Sequence, residues 1–249
     1  MSRLKRIQKG KTNLPPRLVV YGTEGIGKST FACSAPSPIV IQTEDGLGQI
    51  EADKFPVATK LEDVQADLLE LETQEHEYQT LVLDSLDWLE RLIWDYVCRS
   101  QKKEDISQFG YGQGYTLALK FWRELLEQMD RLRESKGMAV ILVAHSKIER
   151  FEDPESPAYD RYSPRLHKLA SGVISEWCDA LLFATRRIRV SEEQGRGGVR
   201  HLAATTKSGE ERVLRCVGGP ACLAKNRFGL PNEIPLSWES FVSAIGGQG

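Results

Sequence analysis

No apolar run in the chain approaches the roughly 20 residues that a membrane-spanning helix needs. The first residues also lack the apolar stretch of a secretory leader, so a cytoplasmic protein with no membrane partner is expected. Cysteine is sparse: Cys33, Cys98, Cys178, Cys216 and Cys222 are odd in number and show no Cys-x-x-Cys spacing. That pattern argues against a disulfide scaffold and for reduced, mostly buried thiols. Four scattered histidines offer no metal-ligand spacing. A charge excess is missing too. With 33 Lys and Arg against 35 Asp and Glu, the net charge of −2 leaves nucleic-acid binding to local patches.

One patch of that kind opens the chain, where Arg3, Lys5, Arg6, Lys9, Lys11 and Arg17 occur without an acid. It reads either as a solvated tail or as an arm for DNA or a neighbouring subunit. The remaining composition, 41% hydrophobic and 27% charged, is that of a globular protein. Neither an internal repeat nor a long linker interrupts it. A basic arm over 1–15 and one domain over 16–249 are therefore expected.

The most informative stretch is LVVYGTEGIGKST, residues 18–30. An apolar run leads into Gly22-Thr23-Glu24-Gly25-Ile26-Gly27-Lys28-Ser29-Thr30, which has the P-loop spacing. Gly22, Gly25 and Gly27 are expected to let the backbone turn so that amides face a phosphate chain. Lys28 supplies a point charge, Ser29 a hydroxyl for Mg²⁺, and the helix start a partial positive charge. ATP with Mg²⁺ is the expected ligand.

A β-rich run ending in acids at 38–46, and apolar runs at 80–84 and 138–144, alternate with helical periodicity at 61–73, from Leu86 to Val97, and from Ala118 to Leu132. This alternation predicts an α/β fold, a mainly parallel sheet of βαβ units flanked by helices. The glycine-rich 109–115 segment and the proline-bearing 149–165 segment read as loops. A helix over 166–177 and strands at 179–190, 199–206 and 211–217 would form an antiparallel C-terminal extension, with SEEQGRGG as a hairpin tip.

Phosphate cleavage needs an acid for the metal and a group that orients water. Asp84 ends the buried run Leu81-Val82-Leu83, where a Walker B acid belongs. Glu44 and Asp45 end the preceding strand. Glu44 is the preferred water-orienting carboxylate, although Asp45-Gly46 is also good turn chemistry. His145 ends the run from Val140 to Ala144, either touching the γ-phosphate or serving as a hydrogen-bonded rim histidine.

In their order, GTEGIGKST, IVIQTEDG, LVLDS and ILVAHS resemble the RecA family of recombinase ATPases. DALLFATRRI, a hairpin and Ala224-Lys225-Asn226-Arg227 resemble that family's strand–hairpin–strand ending in a basic signature. The chain is most similar to phage RecA-like ATPases, a group of nucleotide-binding AAA-type proteins that includes single-strand annealing proteins.

The resemblance implies a RecA-like core with Glu44 as catalytic carboxylate and His145 in place of the family's phosphate-sensing glutamine. It implies that Lys225 and Arg227 complete a neighbouring subunit's site in a ring or helical filament. It places single-stranded DNA on loops near 100–115 and 147–168. Tyr111 and Tyr115 in the first, and Lys147, Arg150, Arg161, Tyr162, Arg165 and Lys168 in the second, suit stacking and backbone charge. A single-strand-binding protein is a further expected partner. Competing readings are a nucleotide-gated binding module, a helicase-like ring motor and a small-molecule kinase; no arginine-rich lid supports the last.

Overall fold

Strands that are apolar on both faces form the centre of a sheet covered on both sides. The computed structural model, which describes residues 14–154, 157–187, 189–194, 200–205 and 211–246, is built this way. In β1 (Arg17–Gly22), Val19 and Tyr21 enter one core while Leu18 and Val20 enter the other. In β5 (Ala139–Phe151), Val140, Leu142 and Ala144 alternate in the same manner with Ile141 and Val143.

The parallel set is completed by β2 (Pro38–Gln42), β3 (Asp53–Lys54), β4 (Thr80–Asp84) and β7 (Ala180–Arg186). From one edge to the other the order is β7, β1, β5, β4, β2, β3. Beyond β7 the sheet turns antiparallel through β10 (Arg212–Arg215) and then β12 (Glu233–Pro235), and β11 (Lys225–Asn226) also pairs antiparallel with β7. The expected α/β class, with its antiparallel C-terminal extension, describes this sheet.

Four helices contribute to one face: α2 (Leu61–Thr73), α3 (Leu86–Ser100), α4 (Gln113–Ser135) and α5 (Lys168–Trp177). The other face is covered by α1 (Lys28–Cys33), through Phe31 and Ala32, and by α6 (Trp238–Gly246), through Phe241. A separate two-stranded ribbon joins β8 (Arg189–Gln194) to β9 (Arg200–Thr205). Of its expected tip SEEQGRGG, Ser191–Gln194 belong to β8; residues 195–198, and the basic segment before residue 14, lie outside the described residues.

Two loops expected from composition are ordered differently. Residues 149–165 were expected to be irregular, yet β5 runs on past the sheet and pairs from Ser146 to Phe151 with β6 (Tyr159–Pro164). The prolines sit at the turn and at the end of that hairpin, where no ladder N–H is required. The 109–115 stretch begins as a 3-10 turn, but α4 starts at Gln113. Gly114 permits this start: a Cβ there would lie 2.8 Å from Ile106 and Phe109 side-chain atoms. Arg17 is likewise no part of a free arm, because its guanidinium is paired with Asp179 at 3.0 Å and Asp130 at 3.1 Å.

Candidate active site

The loop after β1 is shaped by two different glycine requirements. Gly27 has φ +105°, a conformation that L side chains rarely adopt. Gly22 remains extended in β1; its Cβ would fall 2.3 Å from the carbonyl oxygen of Ala184 in β7. The expectation that Gly22 serves the turn is thus corrected, since its role is close approach between strands. Buried Ile26 pins the loop to the core. Lys28 folds beneath the loop and donates from Nζ to the carbonyls of Gly22 (3.2 Å) and Thr23 (2.9 Å). Burial lowers its pKa, opposed chiefly by the Asp84 carboxylate.

The carboxyl ends of the parallel strands bring Glu44, Asp84 and His145 to this loop, around a cavity of about 340 Å³. Glu24, Gly25, Ser29, Thr30 and Arg212 also line it. Ser29 Oγ donates to Asp84 Oδ2 at 2.5 Å. Asp84 is pushed upward first by burial and also by Glu44, while Ser29, Lys28 and His145 pull it down. Thr43 fixes the acidic segment beside it. Its hydroxyl donates to the Ser85 carbonyl (2.7 Å) and accepts from the Ser85 amide (2.8 Å). Glu44 then lies at the cavity, 3.9 Å from His145 Nδ1, whereas Asp45 is exposed and outside the lining.

Sequence reasoning missed Asp87, in the first turn of α3 and 3% exposed at its side chain. Its carboxylate accepts from the His145 amide (3.0 Å) and His145 Nδ1 (3.1 Å), and from Arg165 Nε (3.1 Å) and Nη2 (2.6 Å). Although burial would raise it, these donors hold Asp87 well below the usual carboxylate range. An ionised carboxylate only accepts, so Nδ1 carries the hydrogen in this contact. Arg165 also reaches Glu24 of the loop at 3.8 Å.

Arg165, expected on a DNA loop, therefore joins the nucleotide side of the molecule. Lys147 donates to the Leu166 carbonyl (2.7 Å). Arg161 lies over the Phe151 ring (3.9 Å) and 3.4 Å from Glu149. Tyr115 stacks on His167 at 4.1 Å and meets Trp94 edge-on, so it offers no open ring pair. Tyr111 is wholly exposed, Arg150 and Lys168 are exposed, and Tyr162 is partly covered by Phe183.

Neither Lys225 nor Arg227 lines the cavity. β11 pairs with Ala180 and Leu181 at the start of β7, while Gly22 pairs with Ala184. Four residues of strand, roughly 13 Å, separate the two ends. Lys225 Nζ donates to the carbonyls of Ser175, Glu176 and Cys178, which uses all three ammonium hydrogens at the end of α5. Arg227 meets Asp179 at 3.4 Å and is 53% exposed at its side chain.

Below Asp87, buried Glu90 accepts from the His167 amide at 2.9 and 3.1 Å. Burial pushes its carboxyl from 4.5 to about 7, with Asp87 adding to the rise and the His167 amide and Lys147 opposing it. A folded-state pKa above the unfolded one gives stability that is full below about pH 4.5 and lost as pH rises through about 7. Glu90→Gln should remove up to about 3 kcal/mol of that loss. Paired thermal melts should show the variant gaining on wild type at pH 8.5 and not at pH 4.5. An equal difference at both values would contradict this account.

Mg²⁺ takes hard oxygen ligands, usually one or two from protein with the rest from phosphate and water. The contacting oxygens of Ser29 and Asp84 fit that donor set. Among the described residues no cluster of three His, Cys, Asp or Glu side chains could hold a metal by itself.

A family model described as an AAA domain (AAA_24) matches residues 14–228. The chain is also similar to the SPbeta prophage-derived uncharacterized protein YorG of Bacillus subtilis strain 168. Identity is 24% over 153 residues, which are 60% of this chain and 45% of that protein. The match thus spans less than half of the relative's length.

Proposed function

The chain belongs to the AAA-domain family, and on that premise we propose that it is an ATPase coupling hydrolysis to the handling of single-stranded DNA. One observation carries the reading: Glu44, His145, Asp87, Arg165 and Glu24 form a continuous polar chain around the cavity and into the β5–β6 hairpin. Phosphates would lie in the Gly22–Thr30 cradle against Lys28. Ser29 and Asp84 would hold Mg²⁺, whose charge offsets that of the phosphates.

Glu44 orients the attacking water and takes up its proton. The His145 ring lines the cavity where the terminal phosphate would sit, and the loss of that phosphate is felt by Asp87 through its contact with Nδ1. Because Asp87 also holds Arg165, and the Arg165 amide donates to the His145 carbonyl at 2.8 Å, the hairpin base responds to the same event. Arg150, Tyr162, Lys168 and the Tyr111 turn supply exposed charge and rings for unpaired bases. The stacking of Tyr115 on His167 ties that turn to the hairpin base.

Assembly into a ring or filament, with Arg227 lent to a neighbour's site while Lys225 stays bonded to the end of α5, would make turnover depend on concentration. Of the two, Arg227 suits that role, being half exposed. The prophage origin in the relative's name supports a phage link and no more; annealing or recombination is the role we propose within it. The test is the ATPase rate per protomer across a dilution series, with and without single-stranded DNA. Rates should rise with concentration and with DNA, and Lys28→Ala should abolish them. A flat rate indifferent to DNA would sink both the composite site and the DNA role.

A further inference from the structure

A second cavity of about 630 Å³ adjoins the first and shares Gly27, Thr30 and Arg212 with it. Its remaining wall is mostly apolar, led by Phe31, Leu236 and Trp238. We propose that this cleft is the nucleoside subsite, with Trp238 and Leu236 walling the aromatic base and Arg212 positioning the phosphate nearest the sugar. The proposal deepens the nucleotide reading above and rests on it.

The direction follows from the polarity of the first cavity. Glu44, Asp84 and His145 mark one end, where the terminal phosphate must lie if Glu44 is to orient water. The phosphate chain then runs along the loop toward Gly27 and Thr30, and those residues are the border with the second cavity. A nucleoside leaving the cradle in that direction enters an apolar cleft of a size suited to it.

The sequence builds this cleft from pieces far apart in the chain. The amide of Leu236 donates to the Arg212 carbonyl (3.0 Å), extending the β10–β12 ladder so that the two residues stand together. Arg212 reaches over the loop: Nη1 donates to the Ile26 carbonyl at 3.3 Å, and a Cβ on Gly27 would lie 2.8 Å from it. That contact leaves further guanidinium hydrogens for an anion. Arg212 and Lys28 are the arginine and lysine of the first cavity's lining.

Trp238 opens α6, where Ser237 Oγ accepts from the Ser240 amide at 3.2 Å. Its ring is set edge-on to Phe31 (5.8 Å) and tilted against Phe241 (5.3 Å), both buried. Two fixed rings behind it and only partial cover in front leave Trp238 as a preorganised platform.

Inorganic tripolyphosphate tests this directly, since it can fill the cradle but has no base. Calorimetric titration of wild type should show ATP binding more tightly than tripolyphosphate. Trp238→Ala should weaken ATP by about tenfold, the scale of lost base stacking, and leave tripolyphosphate within about twofold. Arg212→Ala should weaken both. Tryptophan emission gives a second readout that survives if Trp238→Ala does not fold: ATP, and not tripolyphosphate, should perturb wild type, and Trp238→Phe should lose the response. Unchanged ATP affinity in folded Trp238→Ala, or an unaltered response in Trp238→Phe, overturns the subsite. Failure of wild type to bind either ligand overturns the nucleotide reading itself.

Discussion

Glu44→Gln should lower ATP turnover by about 10² to 10⁴, the range expected when a positioned base is lost, while ATP binding holds or tightens. The substitution keeps shape and the Thr43–Ser85 clasp that delivers the side chain. It replaces a carboxylate oxygen able to take the water's proton with an amide that cannot. It also removes a negative charge that raises Asp84, so the carboxylate proposed to hold Mg²⁺ ionises more readily and affinity should not fall. Phosphate release under steady state, beside equilibrium ATP binding, separates the two effects. Asp45→Asn serves as the control; exposed and outside the cavity, it should leave turnover within about twofold of wild type, as surface changes generally do. Should Glu44→Gln retain more than a third of the turnover, water would have to be oriented by another group.

The parts of this site that could be read from sequence are those encoded by short-range pattern. The loop spacing from Gly22 to Ser29, and acids at the ends of unbroken apolar runs, place Lys28, Glu44 and Asp84 because parallel strands deliver their carboxyl ends to one edge. The buried, non-alternating runs likewise announced a sheet covered on both faces. What stayed hidden depends on register and distance. Asp87 sits in a helix whose apolar spacing is clear, but its partners His145 and Arg165 are 58 and 78 residues away. Arg212 has no motif at all; it reaches the loop because β10 pairs antiparallel beside β7. Composition misled at the hairpin, where three prolines suggested irregular chain, since edge ladders tolerate proline at their ends. It misled also at Tyr115 and Arg165, whose residue types suit DNA but whose side chains are used within the fold.

Asp87→Asn should lower the melting temperature at neutral pH by roughly 10 °C, from a loss of about 3–5 kcal/mol. Asp87 is nearly closed off from solvent and receives donors from two residues, one of them the Arg165 guanidinium. An asparagine there offers one carbonyl to those donors and turns an NH₂ toward the remainder, so Arg165 is left beside the cradle without its ionic partner. The pH dependence identifies the cause. Because the folded Asp87 carboxyl is held below its ordinary 3.8, its contribution is full above that value and is lost as pH falls below it. The gap between variant and wild type should therefore be constant from pH 6 to 8 and narrow near pH 3. Function should fail in a second, separable way. At temperatures where the variant is folded, basal ATP turnover should persist while its stimulation by single-stranded DNA disappears, because His145 and the hairpin base no longer share a carboxylate. A melting loss below about 3 °C, or full DNA stimulation in the folded variant, would show that Asp87 neither holds the site together nor links it to the hairpin.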